Sequence, residues 1–479
     1  MLDLLPESGR KPTRTAAVIA AIRARIDGRA LAPGARLPSV RGLAATMSVS
    51  KSTVVEAYDR LLAEGAIAAR RGSGFYVAGP TRPLSLAAIG PQLDRAVDPL
   101  WVMRQSLQSG PDVLKPGSGW LPESWMPDLA IQRGLRSLAR DRSENYTQYD
   151  APLGFAPLRQ LIALRCGERG VPANPDQILL TNSASHALDL VCRFLLEPGD
   201  AVLIDDPCYF NFHALLRAHR ARLIGVPHTP EGPDIEALAR VLRDEKPRFY
   251  LTIAGFHNPT GATLSPVLAH RVLKLAETHD VIIVEDEVFV EFEREPATRL
   301  ASFDGLDRVI QVGSFTKTVS AAFRSGFVAA KREWIEPLID LKLASSGSAG
   351  RLSAALLHHV LIEGGYRRHI DQLRTKLADS MGLCLRRLRA AGLAPWLEPR
   401  GGMFVWAALP EGLDAADVAR IALKKGAVFA PGNVFSLARG PHRYLRFNVA
   451  RCAPPRVFAV LEEAMGEAAH LDANDRSAP

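Results

Sequence analysis

The sequence predicts an α/β protein in two unequal parts. A short N-terminal unit of helices closed by a hairpin precedes a large three-layer unit on a mostly parallel sheet, which ends in a smaller C-terminal α+β subdomain. Three observations carry this reading. From about residue 125, strand-like apolar runs alternate with helix-like segments, the pattern of a sheet covered by helices on both faces. The first 79 residues instead show short amphipathic helices divided by turns and closed by a glycine-rich hairpin. The charge is uneven: of a formal net charge of +8, the first 79 residues contribute 12 basic against 6 acidic side chains, the imbalance of a module with a polyanionic partner.

At 479 residues the chain exceeds one ordinary core, since a domain takes about 100–200 residues. The five cysteines (Cys166, Cys192, Cys208, Cys384, Cys452) are scattered, odd in number and lack C-x-x-C spacing. That argues against a disulfide framework or a zinc site. No apolar run approaches the roughly 18 residues of a membrane span, and residues 1–13 hold no apolar core of a signal peptide. A soluble, cytoplasmic protein without membrane contact is expected.

In the N-terminal part, residues 15–28 (TAAVIAAIRARIDG) carry apolar side chains at helical spacing and end at a glycine suited to a C-cap. Pro33-Gly34 marks a turn, and Ser39 stands where an N-cap belongs before VRGLAATM. Ser50 opens a longer helix over 51–64 with Val54, Ala57, Tyr58, Leu61 and Leu62 on its buried stripe, and Gly65 stops it. Two helices joined by a tight turn form a helix-turn-helix, and 67–71 with 75–77, bracketing Gly72-Ser73-Gly74, form a hairpin. Over nearly all of residues 15–78, through PGARLPSVRGLA, VSKSTVVEAYDRLLAEG and GSGFYV, the stretch resembles the winged helix-turn-helix domain of GntR-type bacterial regulators. A recognition helix meets base edges with its N-terminal residues, which places Lys51, Ser52 and Thr53 against double-stranded DNA. Arg41 and Arg71 fit phosphate or groove contacts, as the resemblance also implies for Arg41. A solvated basic face is the other reading of any one of them. The expected domain runs over 12–79, with residues 80–98, rich in Pro and Gly and without periodicity, as a linker.

In the large part, expected at 99–470, the strand-like runs are QILLT, DAVLIDD, RFYLTIAG, VIIVEDE, RVIQVGS and SGFVAAK. Ligands in such folds bind at the carboxyl ends of the strands. The stretch of greatest interest is 313–326, GSFTKTVSAAFRSG, where Lys317 lies among small and hydroxyl residues with Ser314 before it and Arg324 after it. A lysine that condenses with an aldehyde must be partly desolvated, because the free amine is the nucleophile. Hydroxyls and a permanent cation beside it suit a phosphate. The pattern resembles the lysine segment of fold-type I aminotransferases, which bind pyridoxal 5'-phosphate.

That resemblance continues along the chain. It implies that Tyr149 of YDAPLGFAPLR reaches the phosphate of a neighbouring subunit, and that the TNSAS turn binds phosphate through Ser183, Ala184 and Ser185 at a helix N-terminus. A serine stands at 183 where the family commonly has glycine. The resemblance further implies that Tyr209 stacks on the pyridine, that Asn258 of HNPTG bonds the phenolic oxygen, and that Arg446 of YLRFNV binds a substrate α-carboxylate. The run VIIV delivers Asp286 to the sheet end, where a buried carboxylate needs a cation such as a protonated pyridine nitrogen. The family commonly carries a tyrosine two or three residues after this aspartate. Here stand Val288 and Phe289, which puts efficient transamination, though not cofactor binding, in doubt. The large subdomain is expected at about 125–340 and the small one at about 341–470.

The joined architecture resembles the MocR family of bacterial transcription regulators. The resemblance implies a head-to-tail homodimer that binds DNA and senses an amino acid or other amine by aldimine exchange at Lys317. A working aminotransferase with an accessory DNA-binding domain is the alternative, and a DNA-binding protein with a purely structural second domain is another.

Overall fold

The structure is a computed structural model, and it describes residues 13–27, 31, 34–70, 73–78, 99–141, 146–437 and 442–475. The chain divides into two compact units, 1–85 and 86–479. Arg71 and the expected linker over 80–98 lie outside the described residues.

The first unit contains α1 (Arg14–Asp27), α2 (Val40–Thr46), α3 (Lys51–Ala63) and an antiparallel hairpin of β1 (Ile67–Arg70) and β2 (Gly74–Val77). Its core gathers the apolar stripe of each helix: Val18 and Ile22 of α1, Leu43 of α2, and Val54, Ala57, Tyr58 and Leu61 of α3. Ser39 accepts from the Gly42 amide and Ser50 from the Thr53 amide, so both expected N-caps are made. The Tyr58 hydroxyl donates to the Pro38 carbonyl at 2.7 Å and pins the turn that leads into α2. Gly65, at φ +71°, ends α3 where a side chain would be strained.

The second unit begins with α4 (Pro99–Gln108), α5 (Asp128–Arg140) and α6 (Ala156–Glu168). Strands and helices then alternate: β3 (Ile178–Thr181), α7 (Ala184–Leu195), β4 (Ala201–Asp206), α8 (Phe210–Ala218), β5 (Arg222–Thr229), β6 (Gly232–Pro233), α9 (Ile235–Glu245), β7 (Phe249–Thr252), α10 (Pro266–Thr278), β8 (Ile282–Asp286), α11 (Leu300–Asp304), β9 (Val309–Ser314) and β10 (Gly326–Ala329). The sheet order is β3-β10-β9-β8-β7-β4-β5-β6. Strands β5, β4, β7, β8 and β9 run parallel, while β10 lies antiparallel between β9 and β3. Residues 315–325 are too short a connection for a helical crossover, so the chain turns back on itself after β9. Strands β7 and β10 are buried along their whole length, and β4, β8 and β9 at all but one end residue, as a sheet covered on both faces requires.

Helices α12 (Arg332–Ser346), α13 (Arg351–Ile362) and the long α14 (Gly365–Ala390) follow. They lead to a small antiparallel sheet, β11 (Ala394–Pro395), β12 (Phe404–Ala408), β13 (Ala430–Pro431) and β14 (Tyr444–Asn448), in the order β11-β12-β14-β13. Helices α15 (Ala415–Lys424) and α16 (Arg456–Asp475) pack together beside it. Among the described residues no helix is long and apolar enough to cross a membrane.

Candidate functional site

The parallel strands deliver their last residues to one edge of the sheet. Asp206 ends β4, Thr252 ends β7, Asp286 ends β8 and Ser314 ends β9, and the registers Thr252↔Glu285 and Asp286↔Val312 set the ends of β7, β8 and β9 side by side. The Lys317 loop leaves β9 at this edge, and β10 returns to it with Gly326 opposite both Ser314 and Thr181. Thus the lysine segment, the N-terminus of α7 and Asp286 meet at one end of the fold.

Lys317 is partly buried, and its Nζ donates to the Gly119 carbonyl at 2.5 Å. Burial first, and then the neighbouring Arg446 charge, lower its pKa to about 8, while Asp286 works in the opposite direction. Asp286 is 3% exposed and accepts from the Val288 amide at 3.2 Å. Desolvation pushes its pKa up to about 7. A carboxyl in that state gains its charge when a cation is placed beside it.

Arg446 is 0% exposed. One end of its guanidinium donates to Asn258 Oδ1 at 2.8 Å and the other to the Gly117 carbonyl at 2.7 Å, while Nε has no partner. Its Cζ lies 4.3 Å from the ring centroid of Phe404, 4.8 Å from Phe435 and 5.7 Å from Phe210. Among the described residues no carboxylate bonds to it, and burial lowers its pKa to about 9. Its alternation with Leu445 and Phe447 along β14 turns it to the opposite face from theirs.

Asn258 sits in a loop with rigid support. The Tyr250 hydroxyl donates to Asp205, Thr252 Oγ1 donates to the same carboxylate at 2.7 Å, and the His257 ring lies between Asp205 and Thr260 Oγ1. Asp205, His228 and His257 approach within 4.8 Å of one another. The two imidazoles, however, stack at 4.0 Å with planes 16° apart, which aims their nitrogens along parallel planes and not at one ion, and Asp205 is already held by two hydroxyls. The group is a brace for the Asn258 loop.

At the start of α7, Ser183 caps the helix by accepting from the His186 amide. The backbone there passes so close to β10 that a Cβ on Gly326 would stand 2.5 Å from the Ser183 carbonyl carbon and 2.7 Å from the Ala184 nitrogen. The first-turn amides of α7 have no partner within the helix. Arg324 is exposed at φ +46°, and its charge reaches His186, whose pKa is lowered by burial first and then by cations that include Arg324. Ser314 donates to Thr316 Oγ1 at 2.7 Å and accepts from the Thr316 amide. Tyr209 is partly buried, edge-on to Phe212, with burial raising its pKa to about 12. Tyr149 stands 92% exposed. Phe289 packs against Phe292 and Phe404 in the core, so no hydroxyl comes from that position.

Pyridoxal phosphate fits this donor set. The site offers an amine with a lowered pKa, a buried carboxyl short of a cation, and an open helix N-terminus beside hydroxyls and an arginine. A Cβ on Gly119 would lie 3.9 Å from Lys317 Nζ and 4.0 Å from an Arg446 nitrogen, so glycine keeps the space between the two cations clear.

In the first unit, Arg41, Lys51 and Ser52 are exposed and Thr53 partly so. Ser50 Oγ lies 2.8 Å from Ser52 Oγ and 2.7 Å from Thr53 Oγ1, so the three hydroxyls share one turn. Arg23 and Arg60 are spent on Glu64 and Glu56, whereas Arg41 and Lys51 form no ion pair among the described residues. Sequence reasoning passed over Arg36, whose side chain lies 3.6 Å from where a Gly74 Cβ would stand, against the hairpin. It also passed over the PGSGW segment, whose carbonyls hold Lys317 and Arg446. Glycine at 117 and 119 was the available signal.

Comparison with known proteins defines the class. Residues 121–462 match the model of aminotransferase class I and II, and residues 14–77 match that of the bacterial regulatory proteins of the gntR family. The chain belongs to the aminotransferase class I and II family and carries a gntR-family regulatory domain ahead of it. It is 31% identical over 443 residues to the HTH-type transcriptional regulator YdcR of Escherichia coli, a match that covers 90% of this chain and 93% of that one. It is 33% identical over 337 residues to a 2-aminoadipate transaminase of Thermus thermophilus, covering 69% and 83%. The crystal structure of LysN, an α-aminoadipate aminotransferase of Thermus thermophilus complexed with N-(5'-phosphopyridoxyl)-L-leucine, superposes with a TM-score of 0.71. The two are 29% identical, over 77% of this chain and 95% of that one.

Proposed function

We infer that this protein is a pyridoxal phosphate-dependent transcription regulator of the MocR/GntR type, which binds double-stranded DNA and responds to an amino acid or another amine. The observation that carries the reading is the joining, in one chain, of a helix-turn-helix with unpaired basic side chains to a site where the desolvated Lys317 amine feels both the buried Asp286 carboxyl and the buried Arg446 cation. The DNA-binding domain is assigned to 12–79, the linker to 80–98 and the cofactor-binding domain to 99–470. The protein is assigned to the cytoplasm as a head-to-tail homodimer, in which the exposed Tyr149 would reach the partner's phosphate site.

When bound, pyridoxal phosphate supplies an aldehyde that condenses reversibly with amines and a ring that withdraws electrons. Lys317 presents the amine: with a pKa of about 8, roughly a tenth of it is unprotonated at pH 7, against less than roughly a thousandth for an ordinary lysine. Asp286 would hold a proton at the ring nitrogen of the cofactor, a pairing that would offset the desolvation of its carboxylate. Asn258, its Oδ1 held by Arg446, has its amide nitrogen left to donate to the phenolic oxygen. Ser314, Arg324 and the Ser183–Ser185 turn hold the phosphate. Arg446, a buried cation without an acid, takes the carboxylate of an incoming amino acid in a two-pronged bond. Lys51, Ser52 and Thr53 face the bases, with Arg41 and Arg71 on the DNA backbone or in a groove.

The likeness to a transaminase favours a second reading, an active aminotransferase with an accessory DNA-binding domain. Phe289 in the core, where a phenol would serve the cofactor, weighs against it. Visible absorption of the full chain, followed as amino acids and polyamines are added, separates the two. A band that shifts with one amine and then holds, together with an altered DNA affinity, is expected. Decay of the band with accumulation of a keto acid would make the enzyme reading the right one.

A further inference from the structure

The segment over 114–121 is fastened to β14 through Asn448 and to the chain that leads from α15 into β13. Leu114 and Gly117 amides donate to the Gly426 and Val428 carbonyls, and the Asn448 amide donates to the Pro116 carbonyl. Asn448 Nδ2 donates to both the Ser118 and Trp120 carbonyls, at 3.0 and 2.9 Å. The fit leaves no room for a side chain, since a Cβ on Gly117 would stand 2.5 Å from the Ala430 nitrogen. Two further carbonyls of the same segment accept from the site's cations: Gly119 from Lys317 Nζ and Gly117 from Arg446.

The segment also touches α4, the first described helix after residues 79–98. Lys115 Nζ donates to the Ser109 carbonyl at 3.0 Å, and Ser109 extends the last turn of α4 by donating from its amide to Gln105. From its other side, α4 sets Val102 into a cluster with Phe210, Trp406 and Phe435. Phe210 and Phe435 are two of the three rings around the Arg446 guanidinium. One helix therefore rests both on the segment that holds the two cations and on the rings that enclose one of them.

We propose that residues 114–121 are a strap that reads the occupancy of the Lys317–Arg446 site and passes it, through Lys115 and the Val102 cluster, to α4 and so to the chain that leads to the DNA-binding unit. The inference rests on the function proposed above for its trigger. A group that engages the Lys317 amine removes the donor from the Gly119 carbonyl, and a carboxylate that engages Arg446 competes with the Gly117 carbonyl for the same N–H groups. The bound cofactor would thus loosen the Gly119 fastening, and an incoming amino acid that releases the Lys317 amine would restore it while its carboxylate loosens the neighbouring Gly117 fastening, so the hold on the strap differs between the two states. A buried carbonyl deprived of its donor is costly, which drives the backbone to move.

Hydrogen–deuterium exchange of the cofactor-free full chain tests this without any cofactor or amine. Lys317→Ala is expected to raise exchange severalfold in residues 115–121 and in α4. In Lys115→Met/Lys317→Ala the strap should exchange as fast as in Lys317→Ala, while α4 stays much closer to its level in Lys115→Met. An α4 that does not respond to Lys317→Ala, or a response undiminished by Lys115→Met, overturns the proposal. Exchange in β8 reports whether the fold is intact. If Lys317→Ala exposes β8, Asn448→Ala takes its place, with the same pattern expected and the same outcomes decisive. Failure here leaves the cofactor reading standing, whereas a wild-type chain that gains no visible band with pyridoxal phosphate fails that reading and removes the trigger of the strap with it.

Discussion

Among the described residues of the large unit two arginines are almost wholly buried, and they have opposite surroundings. Arg299, 1% exposed, donates from Nε to Glu287 at 2.9 Å, from another nitrogen to Glu293 and from the third to the Ala297 carbonyl at 2.9 Å. Burial works against its charge, but the two glutamates outweigh burial and hold its pKa above the ordinary value. Arg446, 0% exposed, has two neutral oxygens, three aromatic rings and no acid, and its pKa falls to about 9. A buried charge must be paired or stay costly. Arg299 is paired within the chain and therefore structural. Arg446 has no such acid among the described residues, which is why the proposed function gives it a ligand carboxylate.

This contrast can be broken first at Arg299. Arg299→Met leaves Glu287 and Glu293 buried without their cation, and a loss of about 3–5 kcal/mol is expected in denaturant unfolding of the full chain. Arg446→Met removes a lone charge and leaves only two neutral acceptors short, so its stability should change by less than about 2 kcal/mol. Its effect lies in binding: amino acids should bind on the order of a hundredfold more weakly, from a charge-assisted two-pronged bond worth about 2–5 kcal/mol, while methylamine, which has no carboxylate, is unaffected. Absorption titrations with the two kinds of amine read this directly. Equal losses for both would show that Arg446 supports the fold and not the ligand.

Asp286→Asn sharpens the comparison from the acid side. It removes the carboxylate whose charge acts on Lys317 and which the proposed function pairs with the cofactor, and the affinity for pyridoxal phosphate should fall about 10- to 100-fold, the range of a charge-assisted bond of about 1.5–3 kcal/mol. A smaller effect comes from pH. Because the Lys317 pKa is lowered to about 8, free amine accumulates as pH rises through 8 and not through the range of an exposed lysine. The association rate with pyridoxal phosphate should rise roughly fivefold from pH 7 to 8 and less than about twofold beyond. A rate still climbing steeply at pH 10 would contradict the desolvation of that amine. The mildest change is at the surface. Lys51→Ala or Arg41→Ala should weaken DNA binding, and each cation withdrawn from a phosphate should reduce the slope of log affinity against log salt by about 1.

How much of this was legible in the sequence depended on the range of the interactions. Period and capping residues are local, so α2, α3 and the hairpin follow from Ser39, Ser50, Gly65 and the Val54–Leu61 stripe. The strand runs ending at Asp206, Asp286 and Ser314 were readable for the same reason. The antiparallel course of β10 was not, because SGFVAAK is as apolar as its parallel neighbours and only the short connection from β9 distinguishes it. In the site, the residues carried by motifs were found and their partners were not. That Lys317 and Arg446 share a strap joins position 317 to 119 and 446 to 117, and such long-range pairings leave no local pattern beyond two glycines. The isolation of Arg446 from any acid was equally invisible, since an arginine on a strand reads the same whether or not a carboxylate faces it.

The measurement that bears most directly on the central claim is the visible absorption of wild type and Arg446→Met, each loaded with pyridoxal phosphate and titrated with amino acids, with DNA affinity followed in the same samples. A band that shifts without keto-acid release in wild type, an accompanying change in DNA affinity, and the loss of both in Arg446→Met are expected of a regulator that recognises an amino acid through this arginine. A DNA affinity that stays constant while the band shifts would contradict it.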